Sequence, residues 1–167
     1  RYSIMCYSMR SVRHKLSCGF TLLELMVTIA MVLILAAIAV PGVSSMVQSN
    51  AVSSYANMIS TSLMLAKSEA SKRSEIVNFQ PETNWSNGWD VEESDGTLIR
   101  RFDGIPAAYS VSASVTSVGF RNDGSITTSA AYTVKLQPAT GCTAELVREI
   151  RVTITGTISI IHNGTCS

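Results

Sequence analysis

From Phe20 the chain runs through 21 residues, FTLLELMVTIAMVLILAAIAV, in which Glu24 is the sole charge. As an α-helix this run would be roughly 32 Å long at about 1.5 Å per residue, close to the thickness of a bilayer's hydrocarbon core. It is long enough to span one. Beyond Pro41-Gly42 the pattern stays helical but becomes one-sided: Val52, Tyr55, Ile59, Leu63, Ala66 and Ala70 recur at steps of three or four, with Ser53, Ser54, Asn57, Ser60 and Lys67 between them. The pattern predicts a helix over 20–73, with a transmembrane half (20–40) and an amphipathic half (41–73) that lays one stripe on a folded head. Pro41 removes a backbone hydrogen bond and clashes with the carbonyl four residues earlier, so a kink is expected at Pro41 and Gly42. Two separate helices broken at Pro41 are the alternative.

From residue 74 onward the pattern turns to short alternating runs rich in β-branched and aromatic residues. Strands are predicted at 75–79, 89–92, 97–102, 109–113, 117–121, 132–137, 149–155 and 157–161, separated by turn formers such as Ser94-Asp95-Gly96 and Asn122-Asp123-Gly124. In the seventh run Glu149, Arg151, Thr153 and Thr155 share one face and Ile150, Val152 and Ile154 the other. The expected fold class is α+β: a long N-terminal helix packed on an antiparallel β-sheet or sandwich head spanning 74–167.

Charge changes this picture at one end. The 167 residues carry 13 basic and 12 acidic side chains, a net charge of +1, which excludes a strongly polybasic nucleic-acid binder and an acidic disordered chain. Arg1, Arg10, Arg13 and Lys15 nevertheless all fall in 1–19, which holds no acid, and the remainder is −3. Basic residues before the apolar run, and none after it until Lys67, place the N-terminus in the cytoplasm and everything beyond about residue 45 across the membrane. A lipoprotein would need its cysteine after the apolar run, whereas Cys18 precedes it. A cleaved secretory signal is a real competitor, since Ala37-Ile38-Ala39 has the small-x-small pattern and a cut after Ala39 would release a soluble binding domain starting at Val40. Against it, the apolar run exceeds the usual length of such signals and contains a carboxylate.

That carboxylate costs roughly 2.5 to 3.5 kcal/mol in a membrane helix and therefore calls for a partner, unless it reaches from the helix end toward the headgroups. Gly19-Phe20-Thr21-Leu22-Leu23-Glu24-Leu25, after a short basic leader and before an apolar helix, resembles the class III signal of type IV pilins and type II secretion pseudopilins. The resemblance implies cleavage between Gly19 and Phe20 by a prepilin peptidase, N-methylation of Phe20, and a Glu24 carboxylate that pairs with the Phe20 amine of an adjacent subunit during assembly. Pro41 falls where many pilins bend. If Met9 is the start, rather than Met5, the leader (otherwise 1–19) has eleven residues.

Weaker motifs in the head resemble the GspH/FimT family: Leu65-Ala66-Lys67-Ser68-Glu69-Ala70, Asn87-Gly88-Trp89, Gly119-Phe120-Arg121-Asn122-Asp123-Gly124, and Arg148-Glu149-Ile150-Arg151-Val152 followed by Gly156. The implied role is that of a minor pilin or pseudopilin that primes and caps a filament. Its partners would be other minor subunits, the major pilin, the prepilin peptidase and inner-membrane lipid. The alternative within the family is a pseudopilin of type II secretion.

The cysteines divide by compartment. Cys6 and Cys18 lie in the leader, on the reducing side, while Cys142 and Cys166 lie in the head on the oxidising side, where a Cys142–Cys166 disulfide is expected. This C-terminal pair resembles pilus members more than secretion members. His162 and two cysteines lack a fourth ligand for zinc, and no metal site or cofactor is expected. No phosphate loop, metal cluster or G-x-S-x-G elbow supports an enzyme. Trp85 and Trp89 are expected in packing rather than as a ligand platform. DNA binding is not expected: the head from residue 48 holds nine basic and eleven acidic residues, and only Arg100, Arg101, Arg148 and Arg151 could cluster.

Overall fold

The computed structural model describes residues 20–162 and 164–166, with the backbone alone at 38–42. The leader, with Gly19, Cys6 and Cys18, lies outside the described residues. A 52-residue helix, α1 (Leu22–Arg73), is followed by eight strands: β1 (Val77–Pro81), β2 (Trp89–Glu93), β3 (Leu98–Phe102), β4 (Tyr109–Ala113), β5 (Val118–Phe120), β6 (Tyr132–Pro138), β7 (Arg148–Val152) and β8 (Ile158–His162). A single turn of 3-10 helix, Ala144–Leu146, precedes β7. The chain divides into two units that meet at Pro41 and Gly42. The kink expected there falls on side chains outside the described set.

In the first unit every described side chain is exposed, Phe20 at 84%. Its helical residues are apolar from Leu22 to Ala37 except Glu24 and Thr28. Among the described residues no helix is long and apolar enough to cross a membrane. The end of the expected span, 38–40, lies outside the described side chains.

The second unit, Gly42–Ser167, contains the core. Its strands form two antiparallel four-stranded sheets, ordered β3-β2-β1-β5 and β4-β6-β7-β8. Val52, Ala56, Ile59, Leu63, Ala66 and Ala70 of α1 are fully buried, at steps of four and three, because one helical stripe must be covered by both sheets. Ala56, not Tyr55, completes that stripe; Tyr55 is half-buried at its margin, its ring 5.2 Å from Tyr109. Val77 and Phe79 of β1, Trp89 and Val91 of β2, and Tyr132, Val134 and Leu136 of β6 meet the helix in the same cluster. Trp89 is both the largest fully buried side chain and hydrogen-bonded, its indole Nε1 donating to Ser62 Oγ at 2.8 Å. Trp85 lies half-buried 6.0 Å from it.

β7 stops at Val152, earlier than the alternation predicts. Residues 153–157 instead make a tight turn: Thr153 N–H donates to Thr157 O, Thr153 Oγ1 accepts from Thr157 N–H, and Gly156 has φ +74°. Ile154, placed by the alternation on the face of Ile150 and Val152, is 54% exposed as a result, whereas those two are buried. At the other end of the ledger of burial, the Tyr132 hydroxyl is enclosed without a hydrogen-bond partner among the described residues, and burial pushes its ionisation above the ordinary tyrosine range. Tyr132→Phe is therefore expected to raise stability by about 1 kcal/mol, because a buried unsatisfied group is removed at nearly constant shape. Burial of the neutral phenol is fully stabilising below the unfolded pKa of about 10 and is lost as pH rises above it. Chemical denaturation from neutral to alkaline pH should show that loss in the parent and a smaller one in Tyr132→Phe.

Candidate functional site

The features that bear on function are the start of α1 and the ties that fix the head to its C-terminal half. Thr21 caps α1: its Oγ1 accepts from Glu24 N–H at 3.2 Å and its carbonyl from Leu25 N–H at 3.1 Å. Threonine followed three residues later by glutamate is the sequence of a capping box, a signal in the sequence that points to Thr21 as well as Glu24. Glu24 thus lies in the first helical turn, where the helix dipole favours a carboxylate. Its side chain is exposed among exposed Leu22, Leu23, Leu25, Met26 and Val27. A contiguous apolar surface of this kind must be covered by lipid or by other helices.

In the head, Lys67 Nζ donates to Gly156 O at 2.8 Å, tying α1 to the β7–β8 turn. The same lysine touches the turn after β5: a Cβ built on Gly124 would come within 2.7 Å of Lys67 Cε, and one on Gly156 within 1.8 Å of Gly124 O. Three motif residues far apart in sequence, Lys67, Gly124 and Gly156, therefore form one junction. The turn that holds Gly124 is closed by Asp123, whose Oδ1 accepts from the hydroxyl and the N–H of Ser125; these bonds hold the Asp123 carboxyl below its ordinary range. Glu69, from the same helical motif, pairs with Arg73 at 2.7 Å.

Cys142 and Cys166 are joined in a disulfide with their Cα atoms 6.1 Å apart. It closes a loop of 24 residues in sequence separation and is worth on the order of 3 kcal/mol in the chain-entropy model. Cys166→Ser, or reduction of the disulfide, should lower the unfolding free energy by about that amount in a urea titration, with the Cys142 thiol becoming alkylatable in the variant and both thiols on reduction.

The four arginines singled out in the sequence are placed apart in role. Arg101 makes a bidentate pair with Asp90 at 2.8 Å and reaches Glu82 at 3.2 Å; Arg151 pairs with Glu149 at 2.8 Å. Arg148 is buried, donating to the carbonyls of Glu145 and Val147 and to Ser49 Oγ, and Arg100 lies over the Phe102 ring. Among the described residues no group of three or more His, Cys, Asp or Glu could hold a metal ion.

A helix with an apolar, carboxylate-bearing first half and a second half sunk into a two-sheet head defines the class of pilin-like assembly subunits. Residues 55–157 match the family described as type II transport protein GspH, and residues 14–40 match the prokaryotic N-terminal methylation motif. The chain belongs to the GspH family of minor pilins and pseudopilins. Its fold is similar to that of the Pseudomonas aeruginosa type IV minor pilin FimU (TM-score 0.59, 19% identity, covering 68% of this chain and 90% of that one). It is also similar to the minor pseudopilin EpsH of the Vibrio cholerae type 2 secretion system (TM-score 0.50, 11% identity, covering 66% and 96%). No curated protein sequence matches it.

Proposed function

We propose that the chain is a minor pilin of a type IV pilus machine, made with a leader over 1–19, cleaved between Gly19 and Phe20, and methylated on the Phe20 amine. Residues 20–40 cross the inner membrane with the N-terminus cytoplasmic, 41–73 carry the amphipathic half of the helix, and 74–167 form a periplasmic head. The observation that carries this reading is Glu24: one exposed carboxylate in the capped first turn of α1, whose described side chains from Leu22 to Ala37 are otherwise uncharged. In a medium of low polarity it requires a cation, and a freshly exposed Phe20 amine on a neighbour is the cation that cleavage creates. Register between subunits follows from that pair, while the surrounding leucines and methionines supply contact area. A kink at Pro41 and Gly42 belongs to the same reading, because proline removes one helical hydrogen bond there.

The GspH match and the likeness to EpsH favour a second reading, a pseudopilin of type II secretion. The disulfide-tied C-terminus supports the pilus. Following the tagged full chain in cells that make one filament system at a time discriminates them. Recovery with sheared pili supports the first reading, and recovery only where the secretion machine is present overturns it in favour of the second.

A further inference from the structure

We infer that the free edge of β8 is a docking edge that accepts one extended strand from the head of a neighbouring subunit. Both edges of the first sheet are closed. In the first sheet β3 carries Arg100 and Arg101 opposite an irregularity at Val91 and Glu92, and β5 has three residues flanked by 126–127, with Thr127 N–H donating to Gly119 O and a bridge between Phe120 and Ile126. Charge, bulges, short strands and covering loops are the devices by which folded proteins close an edge to other chains. β8 is one edge of the second sheet and, among the described residues, carries neither charge, bulge nor covering loop. It is Ile158-Ser159-Ile160-Ile161-His162, without lysine, arginine, proline or glycine, paired with β7 in unbroken register over five residues.

The phase of that pairing says which groups are free. The bond from Thr153 N–H to Thr157 O fixes 157, 159 and 161 as the residues that bond to β7, given the pairs Arg151 with Ser159 and Glu149 with Ile161. The N–H and C=O of Ile158, Ile160 and His162 therefore point away from the sheet. Along this edge donors and acceptors alternate as partial positive and partial negative charge, and an extended main chain matches them in sign and spacing. The side chains state the rest of the occupant's chemistry. Ile158 and Ile160 are half-buried, packed against the core from its margin, so a strand with apolar residues at every second position would complete their cover. The opposite face is Ser159 and Ile161 beside the Glu149–Arg151 ion pair, which asks for polar, uncharged residues between the apolar ones. The edge is also held in place, since the chain beyond it returns to Val147 at Gly164 and to Cys142 through the disulfide.

The identity of the occupant as a neighbouring subunit rests on the filament reading above, and the test separates the two. The full chain is produced in cells with its assembly system, carrying a photoreactive phenylalanine analogue at Ile161, or at Thr155 in the adjacent turn as the control. Illumination should join the Ile161 probe to a pilin-like subunit, with the attachment mapping to an extended segment, and leave the Thr155 probe unattached. His162→Pro removes one outward N–H without touching the β7 pairing, and Ile161→Lys adds the charge that closed edges carry. Each should lower recovery in filaments about tenfold at unchanged thermal midpoint. If the parent chain never enters filaments, the filament reading fails. If it enters, and neither substitution lowers recovery nor does the Ile161 probe attach to a neighbour, the edge inference is overturned.

Discussion

A Glu24→Ala chain is expected to reach the membrane and fold its head as the parent does, yet to enter filaments about a hundredfold less. The charge sits in the capped first turn of an apolar helix, exposed and ringed by Leu22, Leu23, Leu25 and Met26. Once such a helix is covered, removing one member of the ion pair leaves a buried amine unmatched, at a cost of about 3 to 5 kcal/mol. With roughly 1.4 kcal/mol per factor of ten, even the lower bound exceeds a hundredfold. Glu24→Gln tests charge against shape: it keeps the size and should fail nearly as badly. The measurement is the ratio of filament-borne to membrane-borne chain by immunoblot. Recovery within about threefold of the parent would remove Glu24 from assembly, leaving it as a capping residue alone, since Thr21 and helix propensity would explain its position.

Gly156→Ala is expected to destabilise the head by about 3 kcal/mol or more. Two terms combine. Its φ of +74° lies in the left-handed region, which costs an alanine roughly 1 to 2 kcal/mol. The new Cβ would also stand 1.8 Å from Gly124 O, a backbone atom rather than the end of a flexible side chain. Gly141 provides the control: its φ is +66°, but nothing lies within 4 Å of its Cβ position. Gly141→Ala should therefore show the conformational term only. Urea unfolding of both variants isolates the steric contribution as their difference, and equal losses would show that the junction of Lys67, Gly124 and Gly156 yields without cost.

Much of the head was legible because its elements are short and regular. All eight predicted strands occur, since alternation of β-branched residues between Gly and Asp turns reports one buried face wherever a strand packs. The errors fall where a second influence overrides periodicity. The alternation through Ile154 continues in the sequence, but Thr153 and Gly156 close a turn and expose it. Tyr55 fits the helical stripe by spacing, but Ala56 is the residue that is buried, and the tyrosine ring lies at the margin against Tyr109. Strand order was not readable, because pairing β1 with β5 and β4 with β6 depends on contacts remote in sequence. For the same reason the sequence presented Lys67, Gly124 and Gly156 as three separate motifs rather than one junction. At the helix start Gly19, Phe20 and Glu24 carry the resemblance to the class III signal by their spacing, and the Thr21 cap could have been found from its place three residues before Glu24.

The central claim is tested most directly by the N-terminus of the mature chain, read by intact mass and by sequencing of the protein recovered from membranes. The account predicts a chain that begins at Phe20 with a methylated α-amine. A chain that begins at Val40, released from the membrane by a cut after Ala39, would contradict it.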